Sequence, residues 1–325
     1  MRLFSGMRPT GRLHLGHLVG ALDNWLRLQG EYDCFFTIAD WHALTTGIEN
    51  TASLPGNIIE MAQGWRALGI DFNRSTVFVQ SDVKEHAELH LLLSMVTPMS
   101  WLTRDPTLKA MVEDMHIKGM SYGLMGYPVL QAADILLYKA DAVPVGIDQA
   151  PHLELAREAA RSFNRIFGPV FPEPKTLLTE TPKLLGTDGK KMSKSLDNCI
   201  YLDDTPESIR QKASGLVTDP AKVHKDDPGD PDICSVQDYH KIFSPSDVGA
   251  HDFDCRAGRL GCVRHKEYLA AVLDGRLKGF REARAALDGK EGETHSILSE
   301  GALKAREAAS VTMASVREAM RMGRQ

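Results

Sequence analysis

The run Cys34 to Ala39 (Cys-Phe-Phe-Thr-Ile-Ala) constrains the fold more than any other segment of the 325-residue chain. It is short, continuous and apolar, which marks a strand buried on both faces. Strands of that kind belong to parallel sheets with helices over both surfaces. The surroundings agree. Leu3 to Gly6 reads as a strand, and His14 to Gln29 as a helix carrying Leu15, Leu18, Val19, Leu22 and Leu26 on one face. A helix over Leu54 to Leu68, a strand Thr76 to Val79 and a helix around His86 to Val96 follow. Then come a helical stretch Met120 to Tyr138, a short strand Ala142 to Val145 and a helix Asp148 to Phe163. This alternation predicts an α/β fold, a doubly wound parallel sheet whose ligands bind beyond the C-terminal ends of the strands.

After about Leu196 the strand signals stop. Helical patterns cover Pro206–Gly215, Val236–Phe243, Val263–Leu273 and Phe280–Leu287, and a longer one runs from Ser296 to Met322. Asp226 to Pro231 is a loop, rich in residues that break helices. The expected organisation is an α/β body over residues 1–195 and an all-helical C-terminal domain over residues 196–325.

Charge is unevenly spread. The chain carries −5 overall, yet residues 256–325 hold 14 Lys and Arg against 9 Asp and Glu. A basic tail on an acidic body is one footprint of a polyanion partner, and a solvated helix face is the plainer reading. Five cysteines, an odd number, with no apolar export segment at the start argue against a disulfide framework. No run of roughly 18–20 apolar residues occurs, so no membrane span and a cytoplasmic location are expected.

Two strings carry chemistry. The first strand runs into Arg8-Pro9-Thr10-Gly11-Arg12-Leu13-His14-Leu15-Gly16-His17, with the helix beginning inside it. Two imidazoles three residues apart at a helix start share one face and suit a nucleotide's phosphates, while Gly16 leaves room for a flat base. Such a pair on its own decides nothing. The second string ends Lys191-Met192-Ser193-Lys194-Ser195 after the turn-forming Asp188-Gly189. It reads as a mobile cationic loop able to stabilise charge developing on a leaving pyrophosphate. Alone it is equally a solvated basic loop. Neither a Walker A loop nor Gly-x-Gly-x-x-Gly after the first strand is present, so ATP would be held by a different device.

Together His14-Leu15-Gly16-His17 and Lys191–Ser195 resemble the paired signature motifs of the class I aminoacyl-tRNA synthetases. The resemblance is closest to the tryptophan branch. It extends through Phe4-Ser5-Gly6, Tyr127 to Tyr138 and Val143 to Glu158, and into the terminal helix. The tyrosine branch shares the sheet and is the nearest competitor. It usually carries a tyrosine in the first-strand region, where this chain has Phe4-Ser5-Gly6.

The resemblance implies a Rossmann-like catalytic domain binding ATP with Mg²⁺ and tryptophan, a helical domain that binds the anticodon of tRNA(Trp), and a homodimer. It implies catalytic roles for His14, His17, Lys191, Ser193 and Lys194, and ATP contacts from Arg8, Pro9, Thr10, Gly16, Gly146, Ile147, Asp148, Met192 and Ser195. At position 147 the family usually has Glu, and at 8 some members have Gln. Tryptophan would meet Phe4, Gly6, His42, Tyr127, Gln131, Asp134 and Gln149, and Lys109 would approach pyrophosphate. Asp134 sits among Ala132, Ala133, Ile135, Leu136 and Leu137, so a buried carboxylate there needs a donor. By resemblance that donor is the indole N–H. A site built around a substrate N–H rejects analogues lacking it by roughly 10⁴–10⁵.

Cys234, Cys255, Cys262 and His265 read C-x20-C-x6-C-x2-H, a metal-site pattern in type. A subgroup of the tryptophan enzymes holds a four-cysteine iron–sulfur cluster with similar spacing, and His265 stands in place of the fourth cysteine. The pattern admits a [4Fe–4S] cluster with one imidazole ligand, a Cys₃His zinc, or a site holding nothing.

Overall fold

The computed structural model describes residues 1–114, 117, 119–146, 150–178 and 184–323. In chain order the elements begin β1 (Arg2–Met7), α1 (Leu15–His17), α2 (Asp23–Leu28), β2 (Asp33–Ile38), α3 (Asp40–Gly47), α4 (Leu54–Leu68), β3 (Thr76–Val79) and α5 (Glu85–Ser94). They continue α6 (Met99–Arg104), α7 (Pro106–Asp114), α8 (Tyr122–Met125), α9 (Tyr127–Leu137), β4 (Ala142–Val145), α10 (Ala150–Phe167) and β5 (Lys175–Leu178). Then follow α11 (Pro206–Ser214), α12 (Ser235–Phe243), α13 (Val248–Arg256), α14 (Cys262–Ala285) and α15 (Glu291–Ala319).

Contacts group these elements into two compact units. The first comprises Met1–Gly11, Asn24–Glu180 and Gly289–Gln325, and it holds the sheet. Its strands lie in the order β3-β2-β1-β4-β5 and every pairing is parallel. The chain winds outward from β1 to β3 and then returns to β4 and β5, which makes the boundary of β1 and β4 the switch point where such sheets open a crevice. β2 is the central buried strand that its apolar run predicts, with Phe35, Phe36 and Ile38 all in the core. Gly6 pairs with Thr37 across β1 and β2. A Cβ at position 6 would stand 2.6 Å from Thr37 Cγ2, so the strand pairing itself requires glycine there.

The terminal helix α15 packs on β3, α4, α5 and α9. It comes so near the strand that a Cβ on Gly301 would stand 1.8 Å from the Val77 carbonyl oxygen. Ala302, Ala305, Ala309, Met313 and Val316 are buried along the same helix.

The second unit comprises Arg12–Asp23 and Thr181–Asp288. α14 is its spine, with α11 and α12 packed on it. Ile209, Ala213, Val236, Leu269, Leu273 and Leu277 are buried there. Thr205 caps α11 by accepting from the Ser208 N–H at 3.2 Å, and Pro206 occupies the first turn, where no N–H is needed.

Several boundaries differ from the sequence reading. The chain does not divide in contacts at residue 195: the lysine loop belongs with the helical unit, and α15 belongs with the sheet. β5 is a strand whose Lys-Thr-Leu-Leu is too short to give a periodic signal, and the two patterns after Val263 are one helix, because Gly275 and Gly279 interrupt apolar periodicity without breaking the backbone. The helix expected over 120–138 is two, α8 and α9, meeting at Gly126. The helix expected from His14 contains a π segment at Leu18–Leu22.

The two kinds of glycine predict opposite stability effects. Gly279 has open space around it, so Gly279→Ala should stabilise by about 0.5–1 kcal/mol through helix propensity. Gly301→Ala drives a methyl into the Val77 carbonyl and should cost at least about 1–3 kcal/mol. Urea midpoints of the two single variants against the parent measure both signs.

Candidate active site

In the first unit, α3 after β2, the turn after β3 and α5 surround one carboxylate of α9. Asp134, on α9, is 2% exposed. Its Oδ2 accepts from His42 Nε2 at 2.8 Å, and its Oδ1 pairs with His86 Nδ1 at 2.7 Å. Gln80 Nε2 donates to both oxygens, at 2.8 and 2.9 Å. His42 comes from α3 just after β2, Gln80 from the turn after β3, and His86 from α5. A carboxylate offers about four lone-pair sites, and these donors fill them. Burial pushes the Asp134 carboxyl up, but His86 and His42 with their hydrogen bonds outweigh it and hold it down at about 2. His86 Nε2 continues the network to the Tyr138 hydroxyl at 2.8 Å, and burial raises that phenol well above its ordinary value.

The other residues expected around tryptophan divide. Tyr127 is half-buried with its ring edge-on to His42 at 4.3 Å, which places it beside the carboxylate network. Burial raises its phenol, while Arg8 nearby acts in the opposite sense. Arg8 itself donates to Thr46 Oγ1 at 3.3 Å, at the C-terminal side of β1 with Pro9 and Thr10. Phe4 stacks on Tyr138 at 5.4 Å as part of the core. Gln131 is engaged elsewhere, its Oε1 3.0 Å from His152 Nδ1. Gly146 stands at the end of β4, half-exposed, and Lys109 is exposed on α7. Ile147, Asp148 and Gln149 lie outside the described residues.

The second unit brings the two signature strings together. His14 precedes α1, and its ring stacks on His17 at 3.7 Å. The His14 N–H donates to His17 Nδ1 at 3.2 Å. The segment after the lysine loop pins this turn: Leu15 N donates to the Ile200 carbonyl at 3.0 Å, and Leu202 N to the Leu13 carbonyl at 2.9 Å. A Cβ on Gly16 would meet the His14 ring at 3.0 Å, so glycine leaves room for that ring, and Met192 Sδ lies in ordinary contact range of the same point at 3.6 Å. Burial, aided by the nearby charge of Lys194, lowers the His14 pKa to about 4, so this imidazole is neutral at pH 7.

Asn198 organises the loop. It is buried, its Oδ1 accepts from Ser193 N at 2.7 Å, and its Nδ2 donates to Asp188 Oδ1 at 2.7 Å and to the Lys191 carbonyl at 3.1 Å. Ser193 and Ser195 hydroxyls are 2.9 Å apart. Lys191 and Ser195 are exposed, and Met192 is buried. Asn198 was not legible as a site residue; its one sequence signal is position, three residues beyond a cationic loop.

Among the described residues, Cys234, Cys255, Cys262 and His265 are not a group whose ligand atoms all lie within 4.8 Å of one another. Burial raises the thiol pKa of Cys234 and of Cys255, and the neighbouring Cys262 adds to both, as Cys234 does to Cys255. The His265 ring instead stacks on His240 at 4.7 Å, in parallel, and lies edge-on to His251 at 4.8 Å. This imidazole therefore packs among histidines. The basic tail is also less free than its formal charge. Arg256 pairs with Asp232 and Asp252, Arg259 with Asp254, Arg276 with Asp23, Arg284 with Asp288, and Arg317 with Glu88.

Residues 1–278 match the family model described as tRNA synthetases class I (W and Y). The chain is similar to the tryptophan–tRNA ligase of Aquifex aeolicus, at 43% identity over 99% of this chain and 100% of the relative. It is similar to that of Thermotoga maritima at 46%, over 99% of each. Among solved structures it resembles the Campylobacter jejuni tryptophanyl-tRNA synthetase complexed with ADP and tryptophan, with TM-score 0.87, 35% identity and coverage of 99% and 100%.

Two outcomes follow from the geometry. Because the Asp134 pKa is depressed on folding from 3.8 to about 2, its contribution is complete above about pH 5 and disappears as pH falls through 4 to 2. Relative to Asp134→Asn, the parent should therefore lose about 2 kcal/mol over that window, read from urea midpoints at successive pH values. Asn198→Ala should cost about 1–3 kcal/mol and expose the bonds after Lys190 and Lys191 to trypsin; unchanged cleavage rates would contradict the bracing role.

Proposed function

The chain belongs to the tryptophan branch of the class I aminoacyl-tRNA synthetases, and on that premise we propose which of its residues carry ATP-dependent charging of tRNA(Trp) with L-tryptophan. In the first step the tryptophan carboxylate attacks the α-phosphorus of ATP; the bond to the bridging oxygen breaks and pyrophosphate leaves, giving tryptophanyl-adenylate. The nucleophile is already ionised at pH 7, so no protein base is needed. Alignment and cationic stabilisation suffice. In the second step a hydroxyl of the terminal tRNA adenosine takes the aminoacyl group, and AMP leaves.

His14, Gly16 and His17 form the nucleotide turn, with neutral imidazole at position 14. Lys191 and Lys194 balance the charge that develops on pyrophosphate, and Ser193 and Ser195 hydrogen-bond phosphate oxygens. Mg²⁺ accompanies ATP. Arg8, Pro9 and Thr10 extend from β1 toward the nucleotide, and Gly146, Ile147 and Asp148 meet the ribose. What carries this reading is that two strings more than 170 residues apart pack against each other, Met192 over Gly16 and Lys194 near enough to His14 to lower its pKa.

Tryptophan's indole N–H is assigned to Asp134, beside His42 and Tyr127. The carboxylate is fully hydrogen-bonded by the protein, so the substrate exchanges for one protein donor. His42 is the donor proposed to yield, because it belongs to the short α3 rather than to the strand-anchored turn that holds Gln80. The family further implies a cytoplasmic homodimer.

Tryptophan-dependent exchange of pyrophosphate into ATP tests the assignment, with tyrosine as the control. Lys194→Ala should lower kcat by roughly 10²–10³ with little change in KM for tryptophan. Asp134→Asn should act mainly through KM and relax rejection of analogues lacking the indole N–H. Faster exchange with tyrosine than with tryptophan would overturn the substrate.

A further inference from the structure

Three helices of the second unit each contribute one cysteine and one histidine to their common junction. α12 and the residue before it bring Cys234 and His240, α13 brings His251 and Cys255, and α14 brings Cys262 and His265. The histidines separate from the thiols. Their ring nitrogens lie within 4.8 Å of one another, the one such group of three potential ligands among the described residues. His240 and His265 are buried at 0% and 3% exposure, and His251 is half-buried.

Packing of aromatic rings accounts for the stacking but not for the nitrogens. His265 Nε2 and His251 Nδ1 are buried without a hydrogen-bond partner. Buried ring nitrogens are normally satisfied, and two orphans beside a third imidazole call for a shared partner. That partner must accept lone pairs from neutral imidazoles. His240 Nδ1 is held by the Ser244 hydroxyl at 2.6 Å, and its Nε2 makes only a long contact, 3.5 Å, with the His265 carbonyl, which a metal would displace.

We propose that His240, His251 and His265 form a site for one zinc-class divalent ion, separate from the three thiols, which fastens α12, α13 and the start of α14 together. Imidazole donors suit zinc, nickel and copper, and three of them leave the fourth tetrahedral position to water. Metal–nitrogen bonds of about 2.0–2.1 Å place tetrahedral donors roughly 3.3 Å apart, so closing the site from the present 4.8 Å requires the parallel His240 and His265 rings to tilt until their in-plane lone pairs converge. The ion lies outside the chemistry of aminoacylation, and its presence is read from binding and stability rather than from turnover.

Cobalt(II) added to metal-stripped full-length protein tests the proposal. One equivalent should bind with the visible absorption of tetrahedral cobalt and no thiolate-to-cobalt charge-transfer band, and should raise the melting temperature. The variant in which Cys234, Cys255 and Cys262 are all serine should bind equally well. His251→Ala, at the half-exposed corner, should retain helicity by circular dichroism while losing affinity by at least roughly 100-fold, and Ser244→Ala should lose roughly 10-fold. A charge-transfer band that vanishes in the serine variant assigns the ion to the thiols and overturns the proposal. So does affinity unchanged in His251→Ala, or the absence of stoichiometric binding.

Discussion

The Asp134 carboxylate is the constraint around which the sheet-bearing unit is arranged. A charge at 2% exposure is tolerable only when its lone pairs are occupied, and the donors come from three segments: α3 after β2, the turn after β3, and α5. Satisfying one group thereby fixes where α9 sits against the strand ends. The Phe4, Phe35 and Tyr138 rings stack behind it, with Phe4 and Phe35 at 5.4 and 4.8 Å from Tyr138. The polar network and the aromatic layer meet at the Tyr138 hydroxyl, so neither can be repacked without the other.

The nucleotide motifs depend on a different economy of contacts. The histidine turn closes on itself through His17 N to the His14 carbonyl and His14 N to His17 Nδ1, and the backbone of Leu13 and Leu15 ties it to Ile200 and Leu202. The lysine loop in turn hangs on one amide, Asn198, which satisfies two loop backbone groups and the Asp188 side chain at once. Gly186 belongs to the same device, since a Cβ there would collide with the Asn198 side chain at 2.3 Å. The lysines of the loop are thus carried by a frame of the Asn198 amide, the Asp188 carboxylate and Gly186.

What the sequence discloses depends on how local the cause is. β2, β3, β4 and α4 fall where their patterns place them, because burial on both faces and a helical stripe are written into consecutive residues. β5 and the course of α15 are long-range outcomes: four residues gain strand identity only by pairing with β4, and Gly301 gains meaning only against Val77. The same holds at the site. His14, His17 and the lysine loop are contiguous strings, and Asp134 is visible as a carboxylate in an apolar helix. Gln80 and His86 carry no pattern and become site residues only because β3 and α5 deliver them to Asp134. His240 and His251 have no motif spacing and come beside His265 only through the packing of α12, α13 and α14.

The return of α15 to β3 has a bearing on synthesis. The sheet unit is built from the first residues and the last, with Thr181–Asp288 belonging to the other unit in between. While the ribosome is still making the final helix, β3 presents an uncovered backbone surface shaped for Gly301. Until α15 has been made the sheet unit lacks the helix that packs on β3, and a chain at that stage leaves a strand face open to chaperones and to wrong partners.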